Sequence, residues 1–417
     1  MRKLIGCGIA LVAALALTVP GAIGSAEQAG ITARTITIGG TFPLTGPAAA
    51  YAPIPLGMRA YFAYINARRG PDGKRGINGR QIVWKYYDDG YNPANTIQLT
   101  RRLVEQDRVF ATVGQLGTEH NLAVRPYLNQ QRVPQSLVST GASNWGLQYR
   151  QFPWTTGWQP DYIAEGRLYG LHIRANHNGK RIAVLYQNDD YGKDYLYGLR
   201  AALGRNYAAE NIVAEVPFEV TAPTVQAQMV RIRQANAPIF VILATPVPTI
   251  QAYAFGRGLG YNPEQIYLNS VAATNAFLNI AVARSSPDYV NGSLSVAYLK
   301  DPASPRWEND AAVRLYKQIM AKYAPSVNAN DGLYFYGVAK AETFVRAMYK
   351  AGRNPTRASY QAALNSLNEP NRFALPGVVM KTSARDHFII SQMQLQRYNA
   401  STRLWTLTGR LIEGRPR

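Results

Sequence analysis

Cysteine is all but missing from this sequence: Cys7 is the only one in 417 residues. It falls within an N-terminal leader, so the mature chain is expected to have no thiol, no disulfide and no Cys-ligated zinc or iron–sulfur site. Leu4-Ile5-Gly6-Cys7 has the outline of a lipoprotein box, but three apolar residues before Cys7 are too few to engage a membrane. Histidine is nearly as scarce. Of the four, His120, His172, His177 and His387, two lie five apart and do not share a helix face, so no metal site is expected and each reads as a surface or partly buried structural residue. Long apolar runs are missing too, apart from Leu4–Val19 behind the basic start Met1-Arg2-Lys3. Pro20-Gly21 ends that run and Gly24-Ser25-Ala26 follows, the pattern of a signal peptide over 1–26 cleaved near Ala26. The run is shorter than the roughly 20 residues a membrane span needs, so an exported, soluble protein is expected.

Acidic residues are few: 25 against 45 Lys and Arg, a net charge of +20, or +18 once Arg2 and Lys3 leave with the leader. The basic residues are scattered, with pairs such as Arg68-Arg69, Lys74-Arg75 and Arg101-Arg102 as their densest groups, so no nucleic-acid partner is expected. Catalytic motifs are lacking as well: there is no P-loop, nucleophile elbow or zinc-protease helix. Phe255-Gly256-Arg257-Gly258-Leu259-Gly260 has dinucleotide-loop glycines but follows a helical segment and precedes a strand, the reverse of the order such a loop needs, so its glycines are read as a helix cap and no cofactor is expected. Asp88-Asp89 and Asp189-Asp190 are adjacent and project in different directions, which suits loop and N-cap roles better than an acid/base pair. An enzyme would have only Glu119 and His120 as neighbouring candidates for a base. The chain reads as a binding protein rather than an enzyme.

What is present is ample core material, 47% hydrophobic residues, enough for two domains. Short β-branched or aromatic runs at Thr35–Ile38, Gln81–Tyr87, Val109–Val113, Arg181–Tyr186, Ile239–Leu243 and Ile266–Leu268 alternate with segments of helical period, the pattern of parallel strands joined by crossover helices. Met58, Tyr61, Phe62 and Ile65 mark one helix, Asn92-Pro93 opens another, and Asp161–Arg174 forms a third. The rhythm breaks around Gln151–Pro160, so two α/β lobes are expected to meet near residues 155–160. In such sheets ligands bind beyond the carboxyl ends of the strands, where strand order reverses. The segments just after the strands are rich in Gly, Thr, Ser, Asn and aromatics, groups that bind an organic anion through amides and hydroxyls between apolar walls.

Those loops resemble a known family. Ile36-Thr37-Ile38-Gly39, Pro43-Leu44-Thr45-Gly46-Pro47, Gly76-Ile77-Asn78-Gly79-Arg80, Tyr87-Asp88-Asp89, Val113-Gly114, Gly141-Ala142-Ser143-Asn144 and Asp190-Tyr191-Gly192, in that order, are similar to the leucine/isoleucine/valine-binding proteins of bacterial ABC transporters. The resemblance runs over essentially the whole mature chain. It implies a type I periplasmic binding protein: an α/β fold of two doubly wound parallel-sheet lobes joined by a three-segment hinge. Lobe one would hold 31–156 and 299–380, lobe two 157–298 and 381–417. It further implies a periplasmic monomer that closes on a small carboxylate-bearing solute and presents it to an inner-membrane ABC permease. By the resemblance Thr118, Thr140, Ala142 and Ser143 would hold the carboxylate, and Tyr51 and Tyr191 would place rings on the ligand, with Trp145, Trp158 and Tyr162 as further lining candidates. Two departures stand out. Val271 in Asn269-Ser270-Val271 occupies or adjoins the position where amino-acid binders carry a glutamate for the ligand ammonium, and Ala244-Thr245-Pro246-Val247-Pro248 lacks the tyrosine of leucine binders. The solute is therefore a branched-chain amino acid or a relative, or an aromatic or aliphatic acid without an amino group. A ligand-sensing receptor domain of a membrane signalling system is a further alternative.

Overall fold

A computed structural model describes residues 28–414. The leader expected over 1–26, with Cys7 and the cleavage point near Ala26, lies outside them, as do residues 415–417. No helix of the described residues is long and apolar enough to cross a membrane.

The first sheet contains β1 (Thr35–Phe42), β2 (Gln81–Asp88), β3 (Thr112–Val113), β4 (Gln135–Val138) and β5 (Thr155–Gly157). Its order is β2-β1-β3-β4-β5 and every pairing is parallel. The second sheet contains β6 (Ile182–Gln187), β7 (Ile212–Phe218), β8 (Ile239–Leu243), β9 (Gln265–Leu268) and β10 (Leu294–Ala297). A two-stranded ribbon, β11 (Asn368–Pro370) with β12 (Val379–Lys381), precedes β13 (Gln392–Asn399) and β14 (Leu404–Glu413), which complete the second sheet in the order β14-β13-β10-β9-β8-β6-β7. Its first five strands run parallel, whereas β13 and β14 pair antiparallel. Two parallel-sheet lobes, as expected, are what the structure shows, with an antiparallel ribbon of β13 and β14 added at one edge of the second.

Each sheet has one switch point, between β1 and β3 in the first and between β6 and β8 in the second. The crevices that form there lie at the carboxyl ends of the strands. Strands such as β8, Ile-Phe-Val-Ile-Leu, are buried along their whole length, as strands covered by helices on both faces must be. The helix Pro53–Ala67 has Pro in its first turn and buries Met58, Tyr61, Phe62 and Ile65, the stripe that the spacing predicts. It packs against the helix Gly332–Lys350, and Gly57 and Gly337 permit the approach: a Cβ on either would come within 2.3 Å of the other helix's backbone. Asn92 caps the helix Pro93–Arg101 through Ala94 N–H, and Asp161 caps Tyr162–Asn176 through Ala164 N–H, both at the predicted starts. The chain passes from the first sheet to the second after Gly157, returns after Ala297 to supply the helices Ala311–Tyr323, Gly332–Lys350 and Arg357–Leu364, and crosses again between Lys381 and Gln392.

β3 is shorter than the predicted Val109–Val113. Arg108 turns left-handed and Val109 N–H bonds to Leu103 O, so the chain is still closing the preceding helical turn there.

Candidate ligand-binding site

A cavity, partly open to solvent, lies where the carboxyl ends of the two sheets face each other. Segments after β1, β3 and β4 supply Tyr51, Thr118, Ser139 and Thr140, and segments after β6, β8 and β9 supply Tyr191, Thr245, Ser270 and Val271. The backbone is specialised on the first-sheet side. Gly117 has φ +102 and caps the helix Thr118–Gln130; a Cβ there would lie 2.3 Å from His120 Nδ1. Leu137, in β4, has φ +57, and the register with β5 skips between Gln135 and Val138. A bulge of this kind re-aims the residues that follow it, here Ser139 and Thr140 at the cavity wall.

Thr118 Oγ1 and Thr140 Oγ1 share a hydrogen bond of 2.6 Å, and both residues line the cavity. With the N-terminal amides of the helix Thr118–Gln130 they form a donor-rich corner suited to an anion. Tyr51 spans the cleft: its hydroxyl donates to Val271 O at 3.1 Å, and its ring meets Phe277 edge-on at 6.4 Å. Tyr191 lies in an aromatic group with Tyr162 and Tyr195 at 5.0 and 5.6 Å, and Asn269 Nδ2 donates to its hydroxyl. Burial raises the pKa of both phenols well above the usual tyrosine range, so both are neutral hydrogen-bonding groups at physiological pH.

The cavity thus brings together Tyr51, Thr118, Thr140, Tyr191 and Val271, and Tyr162 with them, but not Ala142 or Ser143. Ala142 is fully buried in a cluster with Val138 and Trp145. Ser143 is engaged by the other side of the cleft: its N–H donates to Asp194 Oδ2 at 2.6 Å and its hydroxyl to Oδ1 at 3.0 Å. The side chain expected to grip a ligand carboxylate already holds a protein carboxylate. This is a latch between the halves, as is the weaker contact of Asp190 N–H with Glu119 Oε1 at 3.4 Å. Burial raises Asp194 to about 6 against the lowering effect of the Ser143 bonds. Trp145 and Trp158 are core residues outside the lining.

Tyr91 and Asn275 lie in segments just after strands, where the sequence places the crevice, whereas Gln159, Tyr298, Asp301 and Tyr336 escaped the sequence reading. Behind the wall stands Lys340, fully buried, which donates to Ser139 Oγ and, at 2.9 Å, to Tyr336 OH. Its ammonium lies 5.2 Å from the Trp158 ring centroid and 4.4 Å from that of Tyr336. Burial holds its pKa well below the ordinary lysine value. It could have been found by period: Leu333, Gly337, Lys340, Phe344 and Ala347 recur on the buried face of one helix, and a lysine on such a stripe is out of place. A carboxylate stands behind the opposite wall. Glu165 accepts from Ser270 N–H, Ser270 Oγ, Tyr169 OH and Tyr195 OH, at 2.6 to 2.9 Å, and so fixes the loop that carries Val271. Desolvation raises its pKa despite these four donors.

The acidic pairs have local roles. Asp88 accepts from Leu44, Thr45 and Gly90 N–H, and Asp189 caps the helix Asp190–Leu203. Glu119 and His120 do not form a base at the cavity: neither lines it, and the His120 ring lies against Tyr91 at 4.2 Å with its pKa lowered by burial. His172 Nδ1 bonds to Tyr267 OH and His387 Nδ1 to Thr155 O. Among the described residues no group of three or more His, Cys, Asp or Glu could hold a metal ion.

The profile of the periplasmic binding protein family matches residues 35–403. A relative from Brucella abortus (strain 2308), Leu/Ile/Val-binding protein homolog 2, is 26% identical over 194 residues, 46% of this chain and 47% of that protein, so the match spans about half of the relative's length. Among solved structures, a possible leucine/isoleucine/valine-binding protein from Rhodopirellula baltica SH 1 is 22% identical with a TM-score of 0.75, covering 93% of this chain and 98% of the other. A fatty acid ABC transporter substrate-binding protein from Thermomonospora curvata also has a TM-score of 0.75, at 17% identity, covering 93% and 95% of the two chains.

Proposed function

The chain belongs to the periplasmic binding protein family, and from that premise we propose that it is the extracytoplasmic solute receptor of an ABC importer, a monomer that closes on a small carboxylate-bearing solute and delivers it to an inner-membrane permease. Lobes of 31–156 with 299–380 and of 157–298 with 381–417 swing about the three chain crossings. The observation that carries this reading is a cavity shared by the carboxyl ends of both sheets, with the Thr118–Thr140 hydroxyl pair on one wall and Tyr191 and Val271 on the other. A solute that touches both walls favours the closed arrangement, because only there can it make both sets of contacts.

Relatives of equal structural similarity carry names pointing to branched-chain amino acids and to fatty acids, so similarity does not select the ligand. The wall chemistry favours an acid without an ammonium group: Val271 is apolar at the cleft, and Glu165 behind it is already engaged by four donors. A buried ammonium with no countercharge is costly. Asp301 gives a specific reason to retain the amino-acid alternative, since its carboxylate lines the same cavity beside Asn275, whose Nδ2 donates to it at 2.7 Å. Isothermal titration with leucine, valine, phenylalanine, benzoate and octanoate decides between them. Saturable binding of one of these acids is expected, and failure to bind any of the five would refute the carboxylate assignment.

A further inference from the structure

We infer that Lys340 is the cationic pole of this cleft, supplying the positive charge for the solute's anionic group, which sits against Ser139, Thr140 and Tyr336. The inference rests on the carboxylate reading above and makes it specific. The lysine is not needed to satisfy its neighbours. Ser139 Oγ donates to Gly114 O at 2.7 Å, and Tyr336 OH donates to Gln159 Oε1 at 2.7 Å, so each hydroxyl has a partner without it. Its stem packs against Gly114, where a Cβ would lie 3.0 Å from Lys340 Cδ, and a methionine would fill that space equally well. A buried ammonium without a carboxylate is costly, and aromatic faces offset only part of the cost. The two groups that accept from Nζ are both cavity-lining residues. An anion at the wall is therefore one hydroxyl layer away from the charge.

Other charges around the ammonium are either engaged elsewhere or neutral. Glu342, two residues along the helix, faces Arg346 and Arg372, and Lys300 is paired with Asp310 at 2.8 Å. The phenol facing Nζ, Tyr336, and the one against Trp158, Tyr298, are held neutral by burial. Two unit charges about 6 Å apart at an effective dielectric of about 20 attract strongly enough for roughly a hundredfold in affinity. Because burial disfavours the ammonium, an arriving anion also draws a proton onto Nζ. Affinity then falls as pH rises, by up to about tenfold per pH unit.

The test is isothermal titration of wild type and Lys340→Met with leucine, phenylalanine, benzoate and octanoate and with their primary amides, at pH 6.5 and 8.5, in HEPES and in Tris. Wild type should prefer the acid to its amide, bind it more weakly at pH 8.5, and give heats that differ between the buffers because a proton is taken up. Lys340→Met should lose about a hundredfold for the acid, leave the amide unchanged, and show no buffer dependence. Equal affinity of wild type and variant for the acid would overturn the assignment of Lys340 while leaving the transport reading intact. If wild type binds none of the acids, the carboxylate reading fails and this inference with it. Should the variant not fold, the wild-type data decide: equal affinity at both pH values with no buffer-dependent heat would overturn it.

Discussion

Replacing Lys340 by methionine should stabilise the unliganded protein, and the gain should depend on pH in a calculable way. The native lysine is fully buried, and no carboxylate among the described residues pairs with it, so burial holds its pKa well below the ordinary lysine value. In the unfolded chain it returns to about 10.4. Between those two values the unfolded state binds one proton more than the native state, and stability rises with pH by about 1.4 kcal/mol per unit. That contribution is complete above the unfolded value and is lost as pH falls towards the folded one. Methionine removes it while leaving Ser139 and Tyr336 bonded to Gly114 O and Gln159, so no buried donor is orphaned. The variant's advantage should therefore shrink as pH rises through the window towards the unfolded value, by at most about 1.4 kcal/mol per pH unit. Opposing this, cation–π contact with Trp158 and Tyr336 recovers about 2 kcal/mol or more for the charged form, which raises the lower edge of the window. Urea denaturation of both proteins at pH 7.5, 8.5 and 9.5 measures the difference. Parallel stability curves, with a constant offset, would show that Lys340 is already charged in the fold and would refute the desolvation argument.

Three further outcomes follow from the same geometry. Thr118→Val with Thr140→Val removes the hydroxyl pair from the cavity wall; at about 1.5–3 kcal/mol per hydrogen bond to a charged group, each lost contact should cost roughly ten- to a hundredfold in titrated affinity for an acid, with the fold retained by circular dichroism. Asp194→Asn can accept from Ser143 N–H at Oδ1 and donate to Ser143 Oγ through Nδ2, but cannot titrate. The native carboxyl titrates at about 6 in the latched cleft and near 3.9 when solvated, so the closed form binds more protons between those values and wild-type affinity should rise as pH falls from 6.5 to 5. In the variant that slope should be reduced, as measured by titration across this range. Glu165→Ala orphans Ser270 N–H and Tyr195 OH, at about 1–3 kcal/mol each, so a loss of about 2–6 kcal/mol in denaturation and a weakened cleft are expected together; a change in affinity alone would contradict its structural role.

The parts of this molecule that were legible in the sequence are those set by local rules. β1, β2, β6, β8 and β9 are apolar runs bounded by turns, and the helix at Pro53 has proline in its first turn while the one at Pro93 has Asn92 as its cap. β4, β5 and β10 were not legible, because strands of three or four residues, Gln-Ser-Leu-Val, Thr-Thr-Gly and Leu-Ser-Val-Ala, are too short to show a period. β13 and β14 escaped for a different reason: Arg397, Thr406 and Arg410 interrupt an edge ribbon whose strands are defined by pairing with each other. The site divides in the same way. Thr118 and Thr140 follow strands of the first sheet and Tyr191 follows β6, so a rule about strand ends finds them. Ser143 satisfied that rule and still missed the cavity, because Asp194, 51 residues away, captures its hydroxyl. Lys340 lies mid-helix, 201 residues from the serine it touches, and no strand-end rule reaches it. Its signal was a charge on an apolar stripe, the mark of a group held for its electrostatics at the expense of stability. On that logic the least comfortable residues in the wall are the ones to mutate first, since packing alone would have replaced them with Met or Leu.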